Sequence, residues 1–564
     1  LDTTHIDYQR LTFDYVRASE IDAPAARCCP VVVVGAGPVG LSMAIDLAQR
    51  GTPVVLLDED NRLSSGSRAI CFAKRTLEIF DRLGCGEQIA AKGVSWNTGK
   101  VFWRDDLVYS FDLLPEPDHR RPAFVNLQQY YVEGFLFERA RNLANLDIRW
   151  HSQVVGVAQS DERVAATIRT PDGDYTLPCQ YMVAADGGRS AVRRLLGHES
   201  KGQSFRDRFL IADVRMQADF PTERWFWFDP RFHPNRSVLL HRQPDDVWRI
   251  DFQLGWEADP EVERQPERVI PRVQALLGKD MAFEVEWVSV YTFSCLRMAT
   301  FRDRRVLFAG DSAHGVSPFG ARGANSGVQD ADNLAWKLDL VLAGQAPEGL
   351  LDTYASEREF AADENILNST RSTDFITPKS EMSRIFRDAT LHLARDCPFA
   401  RRLVNSGRLS TPSILVNSPL NTVDDAIFAD TMVPGAPASD APVRADGREG
   451  WLLEHLAGGF TLLYFGNGLA PPAEQWRAFL VLGDGAVPIA TLIIEQPPVR
   501  YRVPDGLRLL KLRLLQETGL VSRRFDARPG TTYLLRPDQH VCARWRQFDV
   551  AKVLAALARA TCQA

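Results

Sequence analysis

A wholly apolar run, Val31–Val34, leads directly into Gly35-Ala36-Gly37-Pro38-Val39-Gly40 and then into a helical stretch that ends near Gln49. A strand with no polar residue fits a parallel sheet covered on both faces. Glycines at the first, third and sixth positions allow a tight turn. They also let backbone N–H groups reach a pyrophosphate at the helix N-terminus. Gly51 reads as the helix stop and Val54–Leu57 as the next apolar strand. Asp58 closes that strand, 18 residues beyond Gly40. A carboxylate near that distance accepts both hydroxyls of an adenosine ribose. A lone G-x-G-x-x-G is often a plain turn. Strand, glycines, helix and terminal acid together specify a dinucleotide site, though not which dinucleotide.

Two later segments repeat the theme of an acid at a strand end. Tyr181–Ala185 runs into Asp186-Gly187, and Arg305–Ala309 runs into Gly310-Asp311. The second is followed by Pro318-Phe319-Gly320-Ala321-Arg322-Gly323-Ala324-Asn325, a glycine-rich turn that opens a helix running to about Leu342. Strand C-termini are where α/β sheets bind ligands. No second strand–G-x-G-x-x-G–helix occurs: Gly84-Cys85-Gly86 and Gly483-Asp484-Gly485 lack the third glycine. One stable nucleotide site is therefore expected.

Composition excludes several other classes. The net charge of -6 comes from well-mixed charges with no long basic run, so no nucleic-acid partner is expected. Nine scattered cysteines contain no C-x-x-C pair, which argues against a disulfide framework or a metal site and for reduced thiols in the cytoplasm. The polar, acidic start does not read as a signal peptide. The longest apolar-rich stretch, Pro30–Ala48, is broken by glycines, prolines and Asp46, so no membrane span is expected.

At 564 residues the chain has room for roughly three or four domains. Residues 1–29 read as a polar arm and 30–204 as the first part of the nucleotide-binding domain. Residues 205–294 change texture: Trp248-Arg249-Ile250-Asp251-Phe252-Gln253-Leu254 alternates as a half-buried antiparallel strand does, and aromatics crowd at Trp225-Phe226-Trp227-Phe228. Residues 295–405 return to the first texture and continue as helices, 406–440 read as a linker, and 441–564 form a further unit. Strands are expected there near Phe460–Phe465, Phe479–Leu482 and Thr532–Leu535, with a closing helix over Asp549–Ala560.

These motifs, in this order, resemble the class A flavoprotein aromatic hydroxylases of the para-hydroxybenzoate hydroxylase type. Within that group they are most similar to the phenol hydroxylase and 3-(3-hydroxyphenyl)propionate hydroxylase branch. Shorter matches are Ser67-Arg68-Ala69, Arg75-Thr76-Leu77-Glu78, Gln129-Tyr130-Tyr131-Val132-Glu133, Asn333–Leu338 and Tyr533–Asp538. The resemblance implies an α/β fold: an FAD-binding Rossmann-like domain interleaved with an antiparallel-sheet substrate domain, and a C-terminal thioredoxin-like domain without C-x-x-C. It implies that Gly35, Gly37, Pro38, Val39, Gly40, Asp58, Glu59 and Val154 hold the ADP half of FAD. Arg68 would lie near the flavin phosphates and Gln129 beside the isoalloxazine. Asp186 and Gly187 would support FAD and transient NADPH or NADH binding, and Asp311 would contact the ribityl and pyrophosphate region. Pro318 would lie against the cofactor, and the N–H groups of the turn Gly320–Asn325, with Gly323, Ala324 and Asn325, would stabilise negative charge at the flavin edge. The implied activity is hydroxylation of a small electron-rich aromatic substrate by dioxygen through a flavin C4a-hydroperoxide, in a homodimer.

The substrate side is less constrained. Phenol hydroxylases place an acid five residues before the Arg-Thr pair, whereas this chain has Ile70 there. His241, Tyr291, Arg242 and Tyr130 lie on segments expected to face the pocket and are the candidate catalytic residues, with His241 or Tyr291 expected to contact the substrate hydroxyl. Trp225–Pro230 approaches the Trp-x-Trp-x-Ile-Pro motif of flavin halogenases, but Asp229 stands in place of the isoleucine. A halogenase, a Baeyer–Villiger or epoxidising monooxygenase and a non-enzymatic flavin-binding protein are the alternatives.

Overall fold

The apolar runs assemble as a parallel sheet. The computed structural model describes residues 7–22, 27–66, 68–278, 280–404, 409–456, 458–499, 501 and 513–564. Across the first sheet, Leu146–Arg149, Val54–Leu57, Cys29–Val34, Gly173–Ala184 and Val306–Phe308 lie side by side and parallel. Val31, Val32 and Val33 are fully buried, as a strand covered on both faces must be. Because the strands are parallel, Gly35, Asp58, Asp186 and Asp311 all emerge at one edge. The Pro38–Gln49 helix packs between the helices Gln129–Ala140 and Gly323–Leu342. Close approach is possible because Gly327 faces Val39: a Cβ there would lie 2.6 Å from the Val39 side chain.

The second sheet is antiparallel over most of its width, and its order is Glu284–Met298, Ser200–Arg215, Val247–Gln253, Ser237–Arg242, Arg224–Phe228, Thr98–Trp103, Asp106–Asp112. It is therefore wider than the 205–294 stretch. Thr98–Trp103 joins it by parallel pairing with Arg224–Phe228, a contact over more than a hundred residues that no local pattern announces. Its outer face carries Trp225, Trp227, Leu240, Trp248 and Ile250 and is covered by Val269 and Val273 of the Pro266–Leu277 helix. Its inner face, with Phe209, Phe226, Leu239 and Phe293, packs on Phe319 of the glycine-rich turn. His314–Gly315 also adds to its edge, so the two sheets are stitched together beside Asp311.

The third sheet belongs to the C-terminal unit. Phe460–Phe465 lies parallel to Ile489–Glu495 and antiparallel to Thr532–Leu535, which pairs with Val541–Trp545. Phe479–Leu482 is not a strand. It lies in the helix Ala473–Gly483, because Trp476, Phe479 and Leu482 recur at helical spacing and bury one face. Residues 409–440 contain no helix or strand. Trp336, from the Gly323–Leu342 helix, packs into the C-terminal core beside Phe460 and Trp476, and its indole donates to Asp538 at 3.1 Å. A buried charge cluster seals that junction: Glu357 meets Lys337 at 2.7 Å and Arg536 at 2.6 Å, and Arg536 meets Asp538 at 2.6 Å.

The described part of the arm lies along the nucleotide-binding unit. Tyr8 is buried against Gly134, where a Cβ would lie 2.5 Å from its ring, and Phe13 stacks on Trp150 at 4.1 Å. Ser67 lies outside the described residues. Among the described residues no helix is long and apolar enough to cross a membrane.

Candidate active site

The three glycines of the first turn do different things. Gly35 has φ +101° and its Cβ would come 2.5 Å from Ala185 O, so the turn and the strand beside it require glycine there. A Cβ on Gly40 would collide with Gly35 O. Around Gly37, by contrast, a Cβ would meet nothing within 4 Å. That is the open side, facing away from the fold, where a ligand's backbone approach needs room. The helix begins at Pro38 and has no side-chain cap, which leaves its first N–H groups to an anion.

The acids complete the cradle. Asp58 accepts N–H bonds from Ala36 at 2.6 Å and Asp60 at 2.9 Å, and burial pushes its carboxyl up to about 6. Asp186 accepts from Val192 N–H at 3.1 Å through Oδ2, while its buried Oδ1 has no partner among the described residues. Burial raises its pKa as well. An orphaned buried acceptor is costly unless a donor arrives. Asp311 is crowded by protein, which raises its pKa, yet its side chain is accessible. A Cβ on Gly323 would stand 3.9 Å from Asp311 Oδ1, so this acid sits at the N-terminus of the Gly323–Leu342 helix. The Val39 side chain touches the position of Gly310 as well as Gly327, so the first and third motifs meet directly. His314 and Arg358, both bonded to Asp330, fix the strand end that carries Asp311.

The remaining cofactor candidates are placed as follows. Glu59 is exposed and accepts from Gln153 Nε2 at 2.7 Å, beside buried Val154. Gln129 accepts from Ala69 N–H at 3.0 Å and donates to Glu133 at 2.7 Å, so it pins the loop that carries Arg68. Arg68 has an exposed side chain. Asn325 accepts from Ala73 N–H at 2.8 Å and donates to Cys71 O at 2.8 Å, clamping the short strand Cys71–Ala73 to the helix N-terminus. Gly187 has φ +75° and open space beside it. Pro318 is exposed and Ala324 half-buried at the same opening. These groups fit FAD: glycines open toward a pyrophosphate, an acid for a ribose, a donor-seeking carboxylate and an accessible one, all at one sheet edge.

Opposite lies a polar row on the inner face of the second sheet. The register of Trp225 with Leu240 puts Arg224 across from His241, and the row continues through Arg249, Asp213 and Trp287. Arg249 is paired with Asp213 at 2.9 Å and donates to Arg68 O at 3.1 Å, which links this sheet to the nucleotide loop. His241 is buried, with Nε2 3.6 Å from Asp251 and Nδ1 3.9 Å from Cys71 Sγ. Burial, then the charge of Arg224, pushes its pKa down to about 4, so the imidazole is neutral near pH 7. Tyr291 is half-buried on the same face, opposite Phe209. Arg242 is not brought to this row: it lies on the outer face, its guanidinium 5.6 Å from the Trp248 ring. Tyr130 is off the sheet, buried on the Gln129–Ala140 helix against Tyr131, with its phenol pKa raised by burial. Of the aromatic run, Trp225 and Trp227 point outward and Phe226 and Phe228 inward.

Sequence reasoning missed Arg224, Asp251 and Cys71. For Asp251 the signal was present in the alternation at Trp248–Gln253. Its polar residues face the interior, and its apolar residues face outward under a helix.

Residues 28–369, more than half of the chain, match the family described as FAD binding domain. The chain belongs to the FAD-dependent aromatic hydroxylases. The hydroxylase is 33% identical to the probable NADH-specific resorcinol 4-hydroxylase of Rhodococcus jostii, over 65% of this chain and 67% of that protein. It is 28% identical to the 3-(3-hydroxy-phenyl)propionate/3-hydroxycinnamic acid hydroxylase of Mycolicibacterium smegmatis, over 90% of this chain and 89% of that one. Its fold matches the crystal structure of the flavin-dependent monooxygenase PieE with a TM-score of 0.80 and 22% identity, covering 96% of this chain and 100% of that chain. The hydroxylase carries an FAD-binding domain over residues 28–369.

Proposed function

We propose that this hydroxylase adds one oxygen atom to a phenolic or similarly electron-rich ring held between the polar inner row of the second sheet and the nucleotide cradle. One observation carries the reading: the polar inner row of the second sheet is tied to the nucleotide-binding unit, where Arg249 donates to Arg68 O at 3.1 Å. Bound FAD supplies the hydride-accepting and oxygen-activating chemistry. The chain's own residues do the rest. Gly35–Gly40, Asp58, Asp186 and Asp311 hold the cofactor. The Gly323–Leu342 helix directs its N-terminus toward the site. Phe209, Phe226 and Phe293 exclude water from the ring. Neutral His241, backed by Asp251, is available as a hydrogen-bond acceptor for a substrate hydroxyl, and Tyr291 as a second contact. The relatives named above, for resorcinol and hydroxyphenylpropionate, fit a ring of this kind. The outward Trp225 and Trp227 weigh against a halogenase.

The C-terminal unit is read as a thioredoxin-like domain. Support comes from its β-α-β, β-β-α succession, with Phe460–Phe465 central between a parallel and an antiparallel neighbour. Its cysteines, Cys542 and Cys562, form no C-x-x-C, so its role is packing rather than thiol exchange. Nine free cysteines support a reducing compartment, the cytoplasm. A homodimer is supported by an exposed apolar stripe, Met382, Ile385, Phe386 and Leu393 with Phe399 and Leu403, on the helices Glu381–Ala394 and Pro398–Leu403. Such a stripe, which can pair with itself about a two-fold axis, is an interface signature.

A screen of phenols and aryl acids for stimulated NAD(P)H oxidation tests the function. At least one ring should raise oxidation severalfold over the basal rate and gain 16 mass units. Basal oxidation indifferent to every ring would sink it. His241→Ala and Tyr291→Phe should each lower turnover or coupling, and normal values in both would remove them from the substrate contact.

A further inference from the structure

Arg224 is 3% exposed, yet it lacks the partner a buried guanidinium needs. Its Nε and Nη1 have no hydrogen-bond partner among the described residues, and its best contact is Nη2 to Phe319 O at 3.5 Å, the outer limit of a hydrogen bond. Its neighbour in the row, Arg249, is neutralised by Asp213. The nearby carboxylate, Asp251, leans to His241 instead, at 3.6 Å, and no acid lies within ion-pair distance of Arg224 among the described residues. Cys71 is no counter-ion either, since burial pushes its thiol up. Burying an unpaired cation costs several kcal/mol. The same burial depresses the arginine's own pKa.

The position is informative. Arg224 begins its strand on the inner face, across from His241, and its guanidinium reaches the Pro318–Gly320 turn that precedes the Gly323–Leu342 helix. It therefore stands where the substrate sheet meets the cofactor turn. Phe226, on the same strand and face, holds the guanidinium over its ring at 4.7 Å, which fixes its direction without neutralising it.

We propose that Arg224 is a specificity-determining residue that pairs with an anionic oxygen of the aromatic substrate. The proposal rests on the reading of this row as the substrate pocket. The anionic oxygen is either a ring oxygen, ionised as a phenolate, or a carboxylate carried by the ring. Both offer what the fork of N–H donors lacks.

Flavin absorbance titrations of the holoenzyme at about pH 8 test this without turnover. One pair of probes is benzoate and benzamide; the other is pentafluorophenol, ionised at that pH, and pentafluoroanisole. At least one anion should bind about tenfold or more tightly than its neutral counterpart, as a charged hydrogen bond implies. Preference for benzoate assigns a carboxylate, and preference for pentafluorophenolate a ring oxygen. Arg224→Gln should shrink that preference below about threefold. If Arg224→Gln does not retain FAD, Arg224→Lys decides: it should weaken the anion alone. No preference for either anion in the wild type, or a preference undiminished in the variant that retains FAD, overturns the proposal. If the preference depends on Arg224 but no ring stimulates NAD(P)H oxidation, the hydroxylation reading fails and the anion site stands.

Discussion

Asp58 ties the first turn together and, in the reading proposed above, holds the cofactor as well. Its Oδ2 ties the first turn through Ala36 N–H, and burial pushes its pKa up to about 6. An acid with a raised folded pKa takes up a proton on folding, so its contribution to apoprotein stability is full below about pH 4 and lost as pH rises through about 6. Asp58→Asn should therefore stabilise the apoprotein at pH 8, by up to about 3 kcal/mol, in a denaturant titration. The same substitution should weaken FAD. Wild-type FAD affinity should fall as pH drops below about 6, where Asp58 becomes protonated, and the variant's affinity should be weaker and flat. The gathering of the glycines, Asp58, Asp186 and Asp311 at one sheet edge was legible because each follows an apolar strand directly in sequence. Arg224 was not, because nothing local distinguishes a lysine-like surface arginine from one whose strand turns it inward.

Among the elements, the contact between Pro38–Gln49 and Gly323–Leu342 is the most exacting. A Cβ on Gly327 would lie 2.6 Å from the Val39 side chain and 3.0 Å from Gly310 Cα. Gly327→Ala should push the two helices apart, costing about 1–3 kcal/mol and loosening FAD; thermal unfolding and FAD release measure both. Adding Val39→Ala should recover part of the loss, since it removes the methyls that clash and leaves only the crowding against Gly310 Cα. The strand–turn–helix units were legible from apolar runs bounded by glycine. The seat of Thr98–Trp103 in the second sheet was not, because sheet membership over such a separation is decided by packing rather than local preference. Phe479–Leu482 misleads for a related reason: a short apolar run fits a strand or a buried helix equally until its neighbour Trp476 is counted at helical spacing.

At the scale of the whole molecule, the C-terminal unit is fastened to the cofactor unit through charge as well as apolar packing. Glu357 is held well below the usual carboxylate range by Arg536 and Lys337, against the opposing effect of burial. Glu357→Ala would strand buried Lys337 and leave Arg536 with Asp538 alone, and should cost about 3–5 kcal/mol in chemical denaturation. The exposed stripe on Glu381–Ala394 predicts a concentration-dependent mass in analytical ultracentrifugation, and Phe386→Asp should leave a monomer that still binds FAD. None of this bears on chemistry as directly as the origin of the added oxygen. With a ring that stimulates NAD(P)H oxidation, turnover under 18O2 in ordinary water should give a product carrying one 18O atom. A product with no label, or with oxygen taken from water, would contradict FAD-dependent hydroxylation at this site.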